Sequence, residues 1–452
     1  MGRFLHANPL PEHREEQLPQ QGNSGSWLRR LVPDQHAGWL HPGPRPIACR
    51  SSRTRKRRKS GADHDQCRPE LPCRRPRHAS WDLGACNAPE WPGPTLQLSC
   101  SSAQETLNNK QWPLTLRTNA LATKILFNTN STSCGGVLKA TGVEYLTGQS
   151  VYKADPRNNG AAGTKATARA RKEVIVAGGT FNTPQLLQLS GIGPASLLTS
   201  LNIPVLVDSP GVGANLQDNQ EMPVVGVSKN GQGSGAGYTF IKTNHSVTGE
   251  RDLWMMHGGP FRGFWPPSTR LSNRPGPQDA AGTLSMSMVK QHVANRAGSV
   301  RITSTDPRDP PEINFRLYTQ GRETDMGAVK DFVAWARRVH KATAAPVGPI
   351  STIEPPCPSG QDADGSCGQA DEDWIEGQTF GHHCTSTAAI GAEGDANAVL
   401  DSKFRVRGVS GLRVADASVF PKIPGIFPAV ATFMVGQKAG EVVIADATDG
   451  QC

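Results

Sequence analysis

A mixed α/β (α+β) fold is predicted for this chain, on three observations. Glu173 to Ala177 is a short run rich in Val, read as a buried strand, and Gly178-Gly179 and an apolar helix from Pro184 to Leu189 follow it directly. Between residues 114 and 177, β-type runs alternate with Ser-, Thr- and Gly-rich connections, which predicts an antiparallel meander. Met326, Val329, Phe332, Val333, Ala336 and Val339 recur at helical spacing, so 323–342 is predicted to be an amphipathic helix whose stripe is core.

The elements follow in order. Strands are predicted at Leu114–Thr118, Ala122–Phe127, Gly142–Leu146 and Ala166–Ala177. At the central turn, Gly178 and Gly179 allow a sharp bend or the close approach of a ligand. Thr180 or Asn182 is expected to cap the next helix, with Pro184 in its first turn. Such a strand, turn and helix can aim backbone N–H groups at a phosphate or flavin, and an ordinary α/β connection fits the local pattern equally well. A short helix, a strand at Ile203–Val207 and a turn at Gly211–Asp218 come next. The stretch from 223 to about 280 is rich in Gly, Pro and Ser and shows no clear element, whereas Leu284–Val289 and Ser299–Ser304 read as strands.

Length and composition bound the possibilities. A chain of 452 residues holds two or more domains. It has no run of 18 apolar residues, so no membrane span is expected, and no secretory signal is visible at the N-terminus. The net charge of +9 is concentrated: residues 1–95 carry 16 Lys and Arg against 9 Asp and Glu. This arm has 13 prolines and two Val or Ile, too little apolar surface to offset chain entropy, and is predicted to be disordered. Its basic run Ser51–Ser60 resembles a nuclear-localisation or nucleic-acid patch. No aromatic residue interleaves it and no recognition motif follows, so no nucleic-acid partner is expected. The ten cysteines include no C-x-x-C pair, and no metal site is expected. Cys357 and Cys367 bracket a polar loop that a disulfide can close in an oxidising compartment; two free thiols fit as well.

Residues 179–193 read G-x-x-x-T-P-x-L-L-x-x-S-G-I-G, which resembles the second signature of the glucose-methanol-choline (GMC) family of flavin-dependent oxidoreductases. Gly211 to Asp218 resembles the family's G-V-G-x-N-L-Q-D, with Asn219 where the family usually has His, and 400–446 resembles its C-terminal segment. The resemblance covers roughly residues 101–447. It implies FAD as cofactor and a partial GMC fold. Residues 96–222 and 380–452 would form the flavin-binding domain, and 223–379 the antiparallel-sheet substrate domain. In this family a strand–G-x-G-x-x-G–helix unit holds the ADP half of FAD, and no such motif occurs in the 452 residues. The flavin domain is therefore expected to lack its N-terminal βαβ unit, and 1–95 is read as a misread or degraded coding segment in preference to a functional basic tail.

The resemblance also assigns roles. Gly381 to Thr387 matches the family's H-x-x-x-T segment, placing the catalytic base at His383. Histidine suits that task because its pKa lies near working pH. Where the family has a second His or Asn, this chain has Phe427, which can neither take a proton nor hydrogen-bond an alkoxide. Asp416 and Ala417, Gly178 and Gly179 are expected beside the flavin, Ala122 near its adenine half, and a helix starting at Pro428 with its N-terminus toward the ring. The implied function is FAD-dependent oxidation of the CH–OH group of a small alcohol. The alternative is an inactive remnant, or the product of a misread gene, unable to hold FAD. Family members are often secreted or cytoplasmic, and the sequence leaves the location and oligomeric state open.

Overall fold

The computed structural model describes residues 105–109, 113–128, 137–231, 237–263 and 280–448. All of them lie within the unit His78–Cys452. The predicted disorder of 1–95 and its basic run lie outside them.

The first layer is the expected meander, β1 (Ala120–Asn128), β2 (Lys139–Thr147) and β3 (Thr164–Arg169), with Ala120 opposite Thr147 and Gly142 opposite Arg169. Leu114–Thr118 is not a strand: no partner among the described residues pairs with it, and Leu114 and Leu116 are exposed. The predicted strand 166–177 is split. Charged Arg171, Lys172 and Glu173 carry the chain out of the meander, and β4 (Val174–Val176) then pairs in parallel with β14 (Leu412–Val414). Arg413 closes this pair at its edge by binding Glu173 through two nitrogens, at 2.7 and 2.9 Å.

Helix α1 (Gly179–Leu189) starts at once after β4. Its N-cap is Gly178, and no side chain caps it, contrary to the expectation for Thr180 and Asn182. The Thr180 hydroxyl instead donates to the Cys384 carbonyl, and the Asn182 amide to Gln185. Pro184 lies inside the helix, past the first turn. Its missing N–H leaves the Thr180 carbonyl without an intrahelical donor, and the Thr387 hydroxyl donates to that carbonyl at 2.6 Å. Two hydrogen bonds thus fasten the 384–387 segment to the start of α1. Asp416, just after β14, completes the junction. Its carboxylate accepts from the Gly179 N–H at 3.0 Å, the Thr183 hydroxyl at 2.6 Å and the Ser418 N–H at 2.7 Å. The core beneath contains Ile125, Val174, Val176, Leu187, Leu412 and Val414. The connection to the second layer runs through β5 (Ile192–Gly193), α2 (Ala195–Ser200) and β6 (Val207–Asp208), the last being all that forms of the predicted strand 203–207.

The second layer is a five-stranded antiparallel sheet, the architecture expected of the 223–379 region. It comprises β7 (Glu221–Ser228), β8 (Gly237–Ile241), β9 (Leu253–Gly258), β10 (Thr283–Lys290) and β13 (Ile350–Glu354), in the order β13-β7-β10-β9-β8. The small pair β11 (Ser299–Arg301) and β12 (Glu312–Asn314) lies between β10 and the long helix in the chain. That helix, α3 (Arg322–Ala342), lays Met326, Val329, Phe332, Val333 and Ala336 on Met222, Val224, Met255 and Met288 of the sheet. The predicted stripe is therefore this layer's core. On its other side α3 meets α4 (Gln369–Gln378) through a fully buried Arg337–Asp371 pair at 2.7 Å. Cys357 and Cys367 form a disulfide across the loop leading to α4.

The chain ends in α5 (Pro428–Thr448), which begins at the predicted residue. Val430, Phe433, Met434 and Ile444 on α5 are exposed, as is Ile175 on β4. Exposed large apolar side chains of this kind are ones that folded chains normally cover. No helix among the described residues is long and apolar enough to cross a membrane.

Two outcomes follow from these contacts. Asp416→Ala removes the acceptor of three hydrogen bonds, and urea unfolding should show a loss of about 2–4 kcal/mol; Thr387→Val, which frees one carbonyl, should cost about 1 kcal/mol. The second concerns His340 of α3, which is buried with Nδ1 2.8 Å from the Thr352 hydroxyl. Burial, with a smaller contribution from the nearby His257 imidazole, holds its pKa down to about 4. The unfolded chain binds this proton at higher pH than the folded one. Stability should therefore fall by on the order of 1 kcal/mol per unit as pH drops from about 6.5 toward 4. His340→Gln should flatten that slope.

Candidate active site

Three stretches of chain meet edge to edge. The segment 380–390 pairs on one side with 217–221: Gln217 and Thr385 exchange both backbone hydrogen bonds, as do Glu221 and Phe380. On the other side Ser386, Ala388 and Ile390 donate to the carbonyls of Ala417, Ser418 and Val419. The segment carrying the predicted base is thus a ladder rung between the start of β7 and the turn after β14. Gly381 is required where it stands, since a Cβ there would come within 2.5 Å of the Asp218 carboxyl carbon.

His383 is buried and held at its backbone, where its N–H donates to Asp218 Oδ1 at 2.7 Å. Its Nδ1 faces Glu221 Oε1 at 3.0 Å, and His382 Nδ1 faces the same oxygen at 3.2 Å. Burial raises Asp218 to about 6, against the pull of the Cys384 thiol and the His383 N–H, and raises Glu221 to about 7, against the nearby His382. Burial lowers both histidines, with Asp218 partly offsetting it at His383 and Glu221 at His382. His383 is therefore neutral at physiological pH, the form that can accept a proton. The Cys384 thiol is pushed far up by burial and by Asp218, which makes it a poor nucleophile.

Aromatic rings line the approach. Phe427 stands edge-on to His383, with ring centres 5.0 Å apart, and edge-on to Trp254 at 4.9 Å; Tyr238 stacks on Trp254 at 5.4 Å. On the far side His382 stacks on Phe380 at 6.3 Å. Phe427 thus reaches His383, as its place in the C-terminal motif predicts, and it contributes only an apolar edge.

The remaining predicted residues lie at the β4–α1 turn and near it. Gly179 has φ +78°, and a Cβ on it would meet nothing within 4 Å, so one side of the turn is open. The N–H groups of Gly178 and Gly179 are already used by Thr183 and Asp416. The turn accordingly has an open side, and these two donors are engaged within the protein. The Asp416 carboxylate is engaged within the protein by the Gly179 and Ser418 N–H groups and the Thr183 hydroxyl. Pro428 opens α5 immediately after Phe427. Ala122 stands exposed on β1 opposite Tyr145 and is not part of the His383 cluster. Sequence reasoning missed Asp218 as a partner of His383, and missed Glu221, Tyr238 and Trp254 altogether. Glu221 lies only three residues past the matched G-V-G-x-N-L-Q-D turn, which was the available signal.

Comparison with known proteins places these features. Residues 73–221 and 294–436, together well over half of the chain, match the N-terminal and C-terminal parts of the family described as GMC oxidoreductase. The first match begins inside the arm that composition set apart. The chain is 34% identical over 313 residues to choline oxidase of Arthrobacter globiformis, covering 65% of this chain and 54% of the relative. It is 31% identical over 360 residues to oxygen-dependent choline dehydrogenase of Pseudomonas fluorescens (strain Pf0-1), covering 74% and 57%. The chain thus spans about half the length of the curated relatives it matches. Among solved structures, formate oxidase superposes with a TM-score of 0.59 at 22% identity, over 75% of this chain and 63% of that one. A fungal aryl-alcohol oxidase superposes with a TM-score of 0.55 at 20% identity, over 76% and 63%; at such identities the likeness is one of fold. The motifs, the two-layer architecture and the matched segments agree, and the chain belongs to the GMC oxidoreductase family.

Proposed function

We propose that this chain carries the catalytic and substrate-binding part of an FAD-dependent oxidoreductase that acts on the CH–OH group of a small cationic alcohol, with choline as its representative. One observation carries the reading: a buried carboxylate, Glu221, and the neutral imidazole of His383 share one site with the rings of Phe427, Trp254 and Tyr238. Aromatic faces and a carboxylate together recognise a quaternary ammonium group, which cannot donate a hydrogen bond. The choline-acting relatives support the same substrate class.

FAD, when bound, supplies the acceptor for a hydride from the alcohol carbon. The open side of the β4–α1 turn, the backbone of Asp416 and Ala417, and the start of α5 would hold its ring. His383 takes the hydroxyl proton. Its Nδ1 is turned to Glu221, so Nε2 is the nitrogen left for the substrate. Asp218 holds His383 in place through the backbone and favours the imidazolium that forms. Phe427 excludes water and contributes no second hydrogen bond to the alkoxide.

A second reading, in which the chain by itself holds no FAD, is favoured by the exposed apolar side chains of α5 and by Ile175. Purified chain passed through a desalting column decides between the two: retained stoichiometric FAD supports the first, and colourless or aggregated protein the second. With flavin bound, His383→Ala should slow flavin reduction by about two to four orders of magnitude while leaving FAD affinity little changed. Glu221→Gln should raise the KM for choline by about tenfold or more and change that for its uncharged tert-butyl isostere far less. Equal effects on the two alcohols would remove the ammonium assignment.

A further inference from the structure

Glu221 Oε1 lies 3.0 Å from His383 Nδ1 and 3.2 Å from His382 Nδ1, and one ligand atom of each of the three residues lies within 4.8 Å of the other two. At such distances a carboxylate and an imidazole normally share a hydrogen bond. Here neither pair has the required angles, and Glu221 Oε1 and His383 Nδ1 are both buried without a hydrogen-bond partner. Three potential ligand atoms, two of them buried without a partner, thus stand close together around Glu221 Oε1.

We propose that Glu221, His382 and His383 bind a divalent transition-metal ion of the Zn2+ class, and that its binding blocks the base. With Zn–N and Zn–O bonds of about 2.0–2.2 Å, ligand atoms around a tetrahedral ion stand about 3.3–3.5 Å apart. The two measured edges need to open by only a few tenths of an ångström. Two imidazoles and one carboxylate select zinc, cobalt or nickel over magnesium and calcium, which prefer all-oxygen sites. The ligands are held in advance. The Glu221 backbone is paired with Phe380 at 2.8 and 3.1 Å, and the His383 N–H is anchored on Asp218. His382 is about half exposed, which gives the ion a way in and leaves a coordination position for water.

The consequence follows from imidazole chemistry. A neutral imidazole that binds a metal through Nδ1 carries its proton on Nε2 and has no lone pair left for a substrate hydroxyl. The ion also occupies the carboxylate proposed to face the substrate cation. It should therefore act as an inhibitor competitive with the alcohol.

Cobalt(II), whose visible bands report few-coordinate nitrogen and oxygen ligation, tests the site without reference to turnover. Titration of the full chain, freed of metal by a chelator, should produce these bands, and Zn2+ but not Mg2+ should abolish them. His382→Asn, a change at a half-exposed position, and Glu221→Gln should each weaken cobalt binding by about tenfold or more. If the flavin-loaded chain turns over choline, His382→Asn should also escape inhibition by Zn2+. Absence of bands in the unsubstituted chain, or unchanged affinity in either variant, would overturn the proposal. Neither outcome depends on whether the chain oxidises an alcohol.

Discussion

The carboxylate of Asp416 holds together the two strand ends on which everything else rests. β4 and β14 are three residues each, too short to fix a turn by their own ladder. One side chain closes the gap by accepting from both strand-to-turn junctions and from the first hydroxyl it meets on α1. Charge-assisted hydrogen bonds of this kind are about twice as strong as neutral ones. They fix the open side of Gly179 relative to the ladder formed by 417–419.

From that joint the site follows in steps. Residues 417–419 pair with 386–390, and 380–385 pair with 217–221, so the place of His383 is inherited through two backbone ladders. The proline in α1 adds an independent lock, because the carbonyl it strips of an intrahelical donor is the one that Thr387 occupies. A residue that looks like a helix breaker thus couples the glycine turn to the segment that carries His383. The sheet that presents Glu221, Trp254 and Tyr238 is positioned by a separate core, packed on α3, and joins the first layer where β7 begins.

Much of this was legible in the sequence wherever a local pattern had one reading. The α3 stripe, the meander, the glycine turn and the start of α5 were all visible. The losses have physical causes. β7 was missed because Pro223 lies inside it, and proline argues against a central strand. The structure tolerates it because β13 pairs only with Val225 to Ser228, leaving β7 with a single neighbour, β10, at Pro223. β9 was lost in the Gly-rich stretch, and Trp254 with it. The strand 166–177 was read as continuous because both halves are β-type, while the three charged residues at its break were passed over. Glu221 stood near a matched motif, but its partners at 380–383 lie some 160 residues away in sequence, so the motif marked its place and not its role. The three internal partners of the Asp416 carboxylate were hidden for the same reason.

The central claim is that His383, set between Asp218 and Glu221, takes the hydroxyl proton while the flavin takes the hydride. Anaerobic mixing of the flavin-loaded chain with choline tests it most directly. The account predicts that the flavin band bleaches, more slowly when the carbinol carbon of choline is deuterated, and that His383→Ala suppresses the bleaching. A flavin-loaded chain whose band is untouched by choline, or a His383→Ala variant that bleaches as fast as the unsubstituted one, would contradict it.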